Sequence, residues 1–210
     1  RFLNPVYLRV EDVPEVALGP AAVVDAASAP LRAEDGLDEL LDRDAVWAAK
    51  RAILEVAFEL RRDPARQVVF AEFVEEQGEA LIDFATWSTL ADLHGLPWCA
   101  WPEVFLDPRS SEVTDFRAAQ RDLVDFHCWL QWLCAEQLDG VQRAARAAGM
   151  SIGVLHDLAV GVNPDGADAW ASRHVLAAGV TLGAPADMYN QQGQCWNLPS
   201  WRHDKSVEAG

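Results

Sequence analysis

Apolar residues recur at helical spacing over much of the chain, and they predict a helix-rich protein. One stripe contains Ile53, Ala57 and Leu60. Pro64 ends this run, because a proline disfavours helical geometry in the residue before it. The predicted helices cover residues 37–62, 67–76, 79–93 and 110–148, the last as one helix or two.

Two shorter segments show patterns typical of strands. Pro5–Val10 alternates apolar and polar residues, and the apolar run Ile152–Leu155 lies within a predicted strand at Ser151–Val162. Residues 11–36, rich in Pro, Gly, Ala and Asp, are predicted to be mostly loop. The helical stretch of about 100 residues between the strands is far longer than the single helix of an ordinary βα unit. The order indicates a strand, a helical insert, a second strand and a loop.

The acidic composition narrows the classes of partner. The 210 residues are 50% apolar and 24% charged, which is typical of a globular protein, and the formal net charge is −16. Nucleic acids and anionic membranes are poor partners for such a chain, because they are bound through clustered Lys and Arg. A neutral substrate is compatible with this charge. No apolar run of about 20 residues that would span a membrane is present.

The four cysteines are expected to be reduced thiols, as is usual in the cytoplasm. Cys99, Cys128, Cys134 and Cys195 are spread out without a C-x-x-C pair, so neither a zinc site nor a disulfide framework is expected. One interpretation makes His127 a metal ligand together with two of these thiols. The apolar stripe around them favours a helix core instead, and we expect no metal.

Polar side chains that suit a sugar follow the second predicted strand. Asp157 ends its apolar run, and Asp165 lies in the loop beyond it. A Gly- and Pro-rich loop at 183–199 carries the strongest binding candidates, Asp187, Gln194 and Trp196. Carboxylates and amides pair with hydroxyl groups, and an indole face stacks on the C–H surface of a sugar ring. The pattern therefore points to a neutral polyol.

Each candidate also has a purely structural interpretation. Asp165 can accept a hydrogen bond in an Asx-turn, and Asp168 can cap a helix that starts near Ala167. Asp157 can be a buried, hydrogen-bonded carboxylate, and Trp196 can pack in a core. The residue pattern alone favours the turn and the cap, and it leaves the role of Asp157 open.

Four ordered segments carry a more specific signal. Phe2–Leu8 reads F-L-N-P-V-Y-L, Gly95–Pro102 reads G-L-P-W-C-A-W-P, and Phe126–Trp132 reads F-H-C-W-L-Q-W. In Ser151–Trp201, P-D-G-A-D-A-W precedes G-A-P-A-D-M-Y-N-Q-Q-G-Q-C-W-N-L-P. Together these segments resemble the 4-α-glucanotransferases, which are the amylomaltases or disproportionating enzymes of maltodextrin metabolism. The resemblance covers nearly the whole chain.

The resemblance implies an α/β fold, a partial (β/α)8 TIM barrel that a large helical insert interrupts. Residues 1–36 would form a barrel strand and a connecting loop, residues 37–149 the insert, and residues 150–210 a second barrel strand with the substrate-binding loop. Asp157, Asp165 and the 187–196 loop would then follow a barrel strand, where sites in such barrels lie.

The resemblance also implies retaining transfer of α-1,4-glucan segments between maltodextrins, with no cofactor and no metal. The family's catalytic carboxylates lie in R-I-D-H-F, A-E-D-L-G and T-H-D-N motifs, and none of these strings occurs in the sequence. We therefore expect an N-terminal-half fragment that is inactive alone and holds no catalytic carboxylate. Asp165 and Asp157 would support the cleavage subsite, while Asp187, Gln194 and Trp196 would bind substrate.

Four positions depart from the family's pattern. Arg43 stands where a tyrosine contacts sugar away from the cleavage point, so that contact is in doubt. Ala186 and Ser200 replace prolines, which predicts a floppier unbound loop. Cys195 replaces a polar residue.

Two other functions stay open from the sequence. The chain can be a non-catalytic maltooligosaccharide-binding module, in which case binding would depend on Trp196. It can also be a helical interaction scaffold that dimerises through the apolar seam from Phe116 to Val141. The edges of an incomplete barrel would themselves favour association into homo-oligomers.

Overall fold

The computed structural model describes residues 2–34, 41–60, 62–157 and 161–205, and helices dominate them. Two strands, β1 (Leu176–Ala184) and β2 (Gln194–Trp201), pair as an antiparallel hairpin. The α-helices are α1 (Ala21–Glu34), α2 (Arg43–Glu59), α3 (Pro64–Gln77), α4 (Glu79–His94), α5 (Ser111–Ala119), α6 (Arg121–Ala147) and α7 (Ala167–Ala171). Short 3-10 turns cover Pro5–Tyr7, Val10–Asp12, Val16–Leu18, Trp98–Ala100, Glu103–Phe105 and Arg173–Val175.

Contacts divide the chain into two compact units. Unit 1 consists of Arg1–Gly78 and Phe126–Leu155, and unit 2 consists of Glu79–Asp125 and His156–Gly210. The candidate site residues, from Asp157 to Trp196, therefore all belong to unit 2.

Capping side chains start the helices near the positions that periodicity predicts. Asp42 accepts hydrogen bonds from two backbone N–H groups at the start of α2, and Asp63 accepts one at the start of α3, before Pro64. Gly78, with a φ of 62°, separates α3 from α4. These helices are confirmed, although residues 37–40 and 61 of the first prediction lie outside the described residues. The stretch 110–148 forms two helices, α5 and α6.

One predicted loop is a helix. The frequent Pro, Gly and Asp residues predict a loop over residues 11–36, yet α1 occupies most of the second half of this range. The prediction is wrong there because it gave too little weight to alanine, which has the highest intrinsic helix propensity. Residues 35–36 lie outside the described part of the chain.

Glutamine side chains on α6 take the place of a neighbouring strand along the first segment of unit 1. The side-chain amide of Gln131 donates to the carbonyl of Leu3 (2.8 Å) and accepts from its N–H (2.9 Å). Gln137 forms the same pair of bonds with Arg9, at 2.8 and 2.9 Å. Backbone groups that a strand would offer to a sheet are thereby satisfied.

The strand predicted at Pro5–Val10 is therefore wrong. The segment forms 3-10 turns, and Asn4 Oδ1 accepts a hydrogen bond from the N–H of Val6 at the start of the first turn. Proline at the first position of that turn fixes φ near the helical value. The alternation of apolar and polar residues predicted part of the burial pattern of this segment correctly. It did not reveal which side chains bind the backbone.

The second predicted strand, at Ser151–Val162, is also absent from the described residues of that range, which are 151–157 and 161–162. Gln142 of α6 binds this segment as well. Its side chain donates to the carbonyl of Ile152 (3.1 Å) and accepts from the N–H of Val154 (2.6 Å). A side-chain amide again supplies the bonds that a neighbouring strand would make.

Four buried side chains form the centre of an apolar cluster in unit 2: Leu90, Trp101, Val113 and Trp170. The rings of Trp101 and Trp170 lie edge to face, with centroids 6.4 Å apart. Each indole N–H donates to a loop carbonyl, from Trp101 to Gly95 (2.6 Å) and from Trp170 to Phe105 (2.9 Å). The cluster thus anchors both the loops around it and α7.

A buried carboxylate organises the helices beside that cluster. Asp83 on α4 is 4% exposed and accepts hydrogen bonds from Arg109 and Arg117. Arg117 also donates to Thr86 and to Glu79. A buried charge of this kind is tolerated because its oxygens are paired with cations.

The loop predicted at 183–199 is in large part the hairpin. Its second arm, β2, begins at Gln194, and its first arm, β1, ends at Ala184. A Cβ at Gly183 would lie 2.1 Å from the carbonyl oxygen of Gln194, so only glycine allows the strands to approach this closely. The loop prediction holds for residues 185–193 between the strands. It is wrong for residues 183–184 and 194–199, because the glycines that suggested a loop there instead permit close strand pairing.

The hairpin places a hydroxyl beside an exposed thiol. The Oγ1 of Thr181 on β1 lies 3.5 Å from the Sγ of Cys195 on β2. The hydrogen bond with Thr181, followed by a hydrogen bond with the backbone of Asn197, lowers the pKa of the Cys195 thiol. Burial instead raises the pKa of Cys134 to about 12.

The Asp83 network leads to a prediction about stability. Replacement Asp83→Asn leaves two guanidinium groups without a buried anion, and it should lower the free energy of unfolding by about 3 kcal/mol in urea. The matched control is Asp139→Asn, which removes an exposed i,i+4 ion pair with Arg143 and should cost no more than about 0.5 kcal/mol. Equal losses for the two variants would contradict a structural role for Asp83.

The hairpin leads to a prediction about thiol reactivity. A thiolate is the reactive form, so the lowered pKa makes Cys195 react with iodoacetamide at a lower pH than an ordinary exposed cysteine. Thr181→Val removes the hydroxyl, raises that pKa and should move the midpoint of labelling to higher pH. Mass spectrometry of labelled peptides between about pH 6 and pH 10 measures both.

Buried Cys134 serves as the internal control for this labelling and should stay unmodified in the folded chain. An unchanged midpoint for Cys195 in the Thr181→Val variant would mean that the two residues are not paired across the hairpin.

Candidate functional site

The tip of the hairpin is closed by bonds to Asp187 and Asn190. Oδ1 of Asp187 accepts from the backbone N–H groups of Tyr189 (2.8 Å) and Asn190 (2.7 Å). The carbonyl of Asn190 accepts from the N–H groups of Asp187 (3.0 Å) and Gly193 (3.2 Å). Asp187 thus shapes its own loop with one oxygen. Within the described residues its other oxygen has no hydrogen-bond partner, so it is available to a ligand.

Two of the predicted binding residues meet at the start of β2. The indole N–H of Trp196 donates to Oε1 of Gln194 at 2.9 Å. This bond fixes the orientation of the amide, so the NH2 group of Gln194 points away as a donor. Trp196 is 51% exposed, and its ring is therefore not packed in a core. The site offers an apolar ring face beside an amide donor.

Tyr189 is a further candidate binding residue, beyond those predicted from the sequence. It is 90% exposed at the hairpin tip, next to Met188, which is 80% exposed. Large apolar side chains at such exposure are available for contact with a ligand or partner. The signal was present in the sequence, because Tyr189 is an aromatic residue two positions after Asp187 in the same Gly- and Pro-rich loop.

The loop before α7 holds Asp165 in a defined backbone conformation. The side chain of Asn163 accepts from the N–H of Asp165 (3.0 Å), and its carbonyl accepts from the N–H of Gly166 (2.9 Å). The Asx-turn is therefore made by Asn163, and the suggestion that Asp165 makes it is wrong. The carboxylate of Asp165 is partly exposed and makes no hydrogen bond within the described residues.

The helix predicted near Ala167 is confirmed as α7, but Asp168 does not cap it. Gly166 is the residue before the helix, and no side chain caps the first turn. Asp168 is exposed within that turn, where a negative charge is favourable.

Asp157 stands apart from the other candidates. It is exposed, and within the described residues no hydrogen bond or ion pair joins it to Asp165 or to the hairpin. Residues 158–160, which follow it directly, lie outside the described part of the chain. The interpretation of Asp157 as a buried carboxylate is wrong, whereas its role near a cleavage subsite stays a prediction.

Trp98 links the Asp165 loop to the G-L-P-W segment. Its indole N–H donates to the carbonyl of Pro164 at 2.8 Å. Trp98 and Pro164 also line a cavity of about 390 Å³, together with Arg173, Thr181 and Asn197. The cavity therefore lies between the Asp165 loop and the inner part of the hairpin. No pattern in the sequence predicted this contact.

The departure at Arg43 has a local structural explanation in unit 1. The guanidinium of Arg43 lies over the ring of Tyr7, 5.3 Å from its centroid, and donates to the Tyr7 hydroxyl at 3.1 Å. Arg43 therefore makes a cation–π contact and a hydrogen bond at the start of α2. Of the other departures from the family pattern, Cys195 lies between the candidate binding residues Gln194 and Trp196. Nothing in the structure explains Ala186 or Ser200.

Two features are absent from the residues that the structure describes. No group of three or more His, Cys, Asp or Glu side chains with the geometry of a metal site occurs among them. None of their helices combines the length and the apolar character that crossing a membrane requires.

Comparisons with known proteins agree with one another. The glycoside hydrolase 77 family model, described as 4-alpha-glucanotransferase, matches residues 1–210. A 4-alpha-glucanotransferase of Mycobacterium tuberculosis is 47% identical over 99% of this chain, and one of Haemophilus influenzae is 27% identical over 96% of it. The chain spans only 29% and 31% of the lengths of these two relatives.

Solved structures extend the similarity to the fold. The crystal structure of amylomaltase from Corynebacterium glutamicum matches all of this chain with a TM-score of 0.82 and 40% identity, over 28% of its own length. Amylomaltase from Streptococcus agalactiae, in complex with acarbose, matches 99% of the chain over 42% of its own length, with a TM-score of 0.76 and 18% identity, which supports the fold alone. With a family model that matches its whole length and a 47% identical relative, this chain belongs to the 4-alpha-glucanotransferase family, glycoside hydrolase family 77.

Proposed function

We propose that this chain is the glucan-positioning part of a retaining 4-α-glucanotransferase, a cytoplasmic transferase that moves α-1,4-glucan segments between maltodextrins. The observation that carries the proposal is the exposed ring of Trp196, held by Gln194 at the base of the hairpin loop. An exposed ring of fixed orientation can stack on a sugar without a large loss of side-chain entropy on binding. Membership of the family supplies the chemical class of the ligand.

In this proposal the hairpin loop and the Asp165 loop contact the glucan chain. The free oxygen of Asp187 accepts from a sugar hydroxyl, and the amide NH2 of Gln194 donates to another. Asp165 and Asp157 lie near the subsite where the glycosidic bond is cleaved. These groups bind and orient, which matters for rate because small displacements of the reacting atoms raise the barrier steeply.

The bond-breaking groups lie elsewhere in the intact enzyme. Retaining transfer needs two carboxyl groups about 5–5.5 Å apart, one as nucleophile and one as acid and base. The family's catalytic motifs, R-I-D-H-F, A-E-D-L-G and T-H-D-N, do not occur in this sequence. We assign no catalytic residue to this chain, and the mechanism requires no metal and no organic cofactor.

The fold of the intact enzyme is proposed to be a (β/α)8 TIM barrel with a helical insert. The likeness to amylomaltase supports this. In the barrel, residues 1–36 and 150–210 would flank an insert at 37–149. Neutral maltooligosaccharides are the proposed partners, because a net charge of −16 disfavours nucleic acid and anionic membranes. Association of the isolated chain into homo-oligomers is proposed to reflect its exposed apolar surfaces.

A binding experiment tests the role of Trp196. Calorimetric titration of the 210-residue chain with maltoheptaose should show saturable binding, and Trp196→Ala should weaken it about tenfold, which is the loss expected for a central aromatic contact. Trp201→Ala is a matched control, because Trp201 lies on the same strand and is also 51% exposed. Equal affinities of the two variants would contradict the assignment to Trp196. No binding by the parent chain would instead favour a scaffold without a sugar role.

Incubation with maltotriose tests the assignment of catalysis. Chromatography should show neither glucose nor longer oligosaccharides with this chain, because it supplies no nucleophile. A chain that binds maltoheptaose without turnover would agree with the proposal. Formation of products, with their loss in Asp165→Asn or Asp187→Asn, would mean that a carboxylate of this chain performs the chemistry.

A further inference from the structure

The carbonyl that precedes Asp165 is held by a tryptophan from a distant part of the sequence. Trp98 Nε1 lies 2.8 Å from the oxygen of Pro164, and the two residues are 66 positions apart. A proline has no backbone N–H, so its carbonyl is the only backbone hydrogen-bonding group that Pro164 offers. The bond from Trp98 therefore determines how this peptide is held.

Other bonds fix the rest of the same loop. Asn163 binds the N–H groups of Asp165 and Gly166, and the carbonyl of Gly166 accepts from the N–H of Trp170. Trp170 is fully buried in the unit 2 cluster. The loop is thus anchored on its C-terminal side by α7, while Trp98 anchors the peptide on the N-terminal side of Asp165.

The donor itself is held rigidly. Trp98 starts the 3-10 turn Trp98–Ala100 and packs against the cluster that contains Trp101 and Trp170. Its ring is half-buried, so its position is set by packing and not by solvent. A rigid donor can hold a loop peptide more precisely than a flexible surface side chain can.

We propose that Trp98 is a positioning residue for the glucan site, and that its indole N–H sets the peptide that carries the Asp165 carboxylate. The inference rests on the proposed function of Asp165. Without the N–H, the part-buried carbonyl of Pro164 loses its partner and the loop moves to find another. The carboxylate moves with it, and sugar affinity falls although no group that touches sugar has been removed.

The variant Trp98→Phe tests this, because phenylalanine keeps an aromatic ring but has no N–H donor. Trp87→Phe is the matched control, because Trp87 packs against the same cluster but its buried indole N–H has no hydrogen-bond partner within the described residues. Hydrogen–deuterium exchange without sugar should be faster in the peptide spanning 163–170 for Trp98→Phe and unchanged for Trp87→Phe. In calorimetry, Trp98→Phe should weaken maltoheptaose binding about three- to tenfold, the range expected for one hydrogen bond. Trp87→Phe should bind like the parent.

A double-mutant cycle separates positioning from general loosening. If Trp98 acts through Asp165, then Trp98→Phe should weaken binding in the parent but change it less than twofold in the Asp165→Asn background. Equal losses in both backgrounds, or unchanged exchange at 163–170, would overturn the proposal while the proposed function stands. If the parent chain binds no maltoheptaose, the proposed function of Asp165 and the positioning role that rests on it both fail. The exchange data would then still report whether Trp98 holds the loop.

Discussion

Irregular backbone needs hydrogen-bond partners, and in this protein long side chains supply them. Unit 1 uses the amides of three glutamines on α6, namely Gln131, Gln137 and Gln142, which bind segments that form no sheet in the described residues. Unit 2 uses the indole N–H groups of Trp98, Trp101 and Trp170, which donate to three loop carbonyls. The three carbonyls bound by indole groups are part-buried, and leaving one of them unpaired would cost about 1–3 kcal/mol. These tryptophans therefore help to decide where the loops of unit 2 lie.

This constraint connects the core of unit 2 to the candidate site. Trp170 is buried in the cluster and lies on α7, which begins directly after the loop that carries Asp165. The hairpin adds a second surface, on which Asp187, Gln194 and Trp196 combine acceptor, donor and ring face. Such a surface suits a neutral, hydroxyl-rich chain. Residues 176–201, which form the hairpin, contain no Lys or Arg and so supply no cation cluster of the kind that phosphates require.

Helices were the part of the fold that sequence reasoning predicted well. Their apolar stripes and caps, such as Asp42 and Asp63, act over a few residues and can therefore be found by local pattern. The strand predicted at Pro5–Val10 failed because the partner of its backbone is a distant side chain: Gln137, which binds Arg9, lies 128 positions away. The hairpin was missed because glycines such as Gly183 suit both a loop and close strand pairing.

The candidate site shows the same division. Asp187, Gln194 and Trp196 were found from a motif whose members lie within ten residues, and the structure brings Gln194 and Trp196 into contact. The bond from Trp98 to Pro164 could not be predicted, because it joins two loops that are distant in the sequence. A tryptophan at position 98 would also be explained by packing alone. The Asx-turn was assigned to the wrong residue, since Asn163 and Asp165 are equally suited to it by type.

The most direct test of the account is a map of the sugar-binding surface by two-dimensional NMR of the 210-residue chain with maltoheptaose. The account predicts concentration-dependent shifts of the indole N–H of Trp196, the side-chain amide of Gln194 and the backbone amide of Asp165. The side-chain amides of Gln131 and Gln137, in unit 1, should stay unchanged. Shifts confined to unit 1, or no shifts at any resonance, would contradict the assignment of the glucan site to the hairpin and the Asp165 loop.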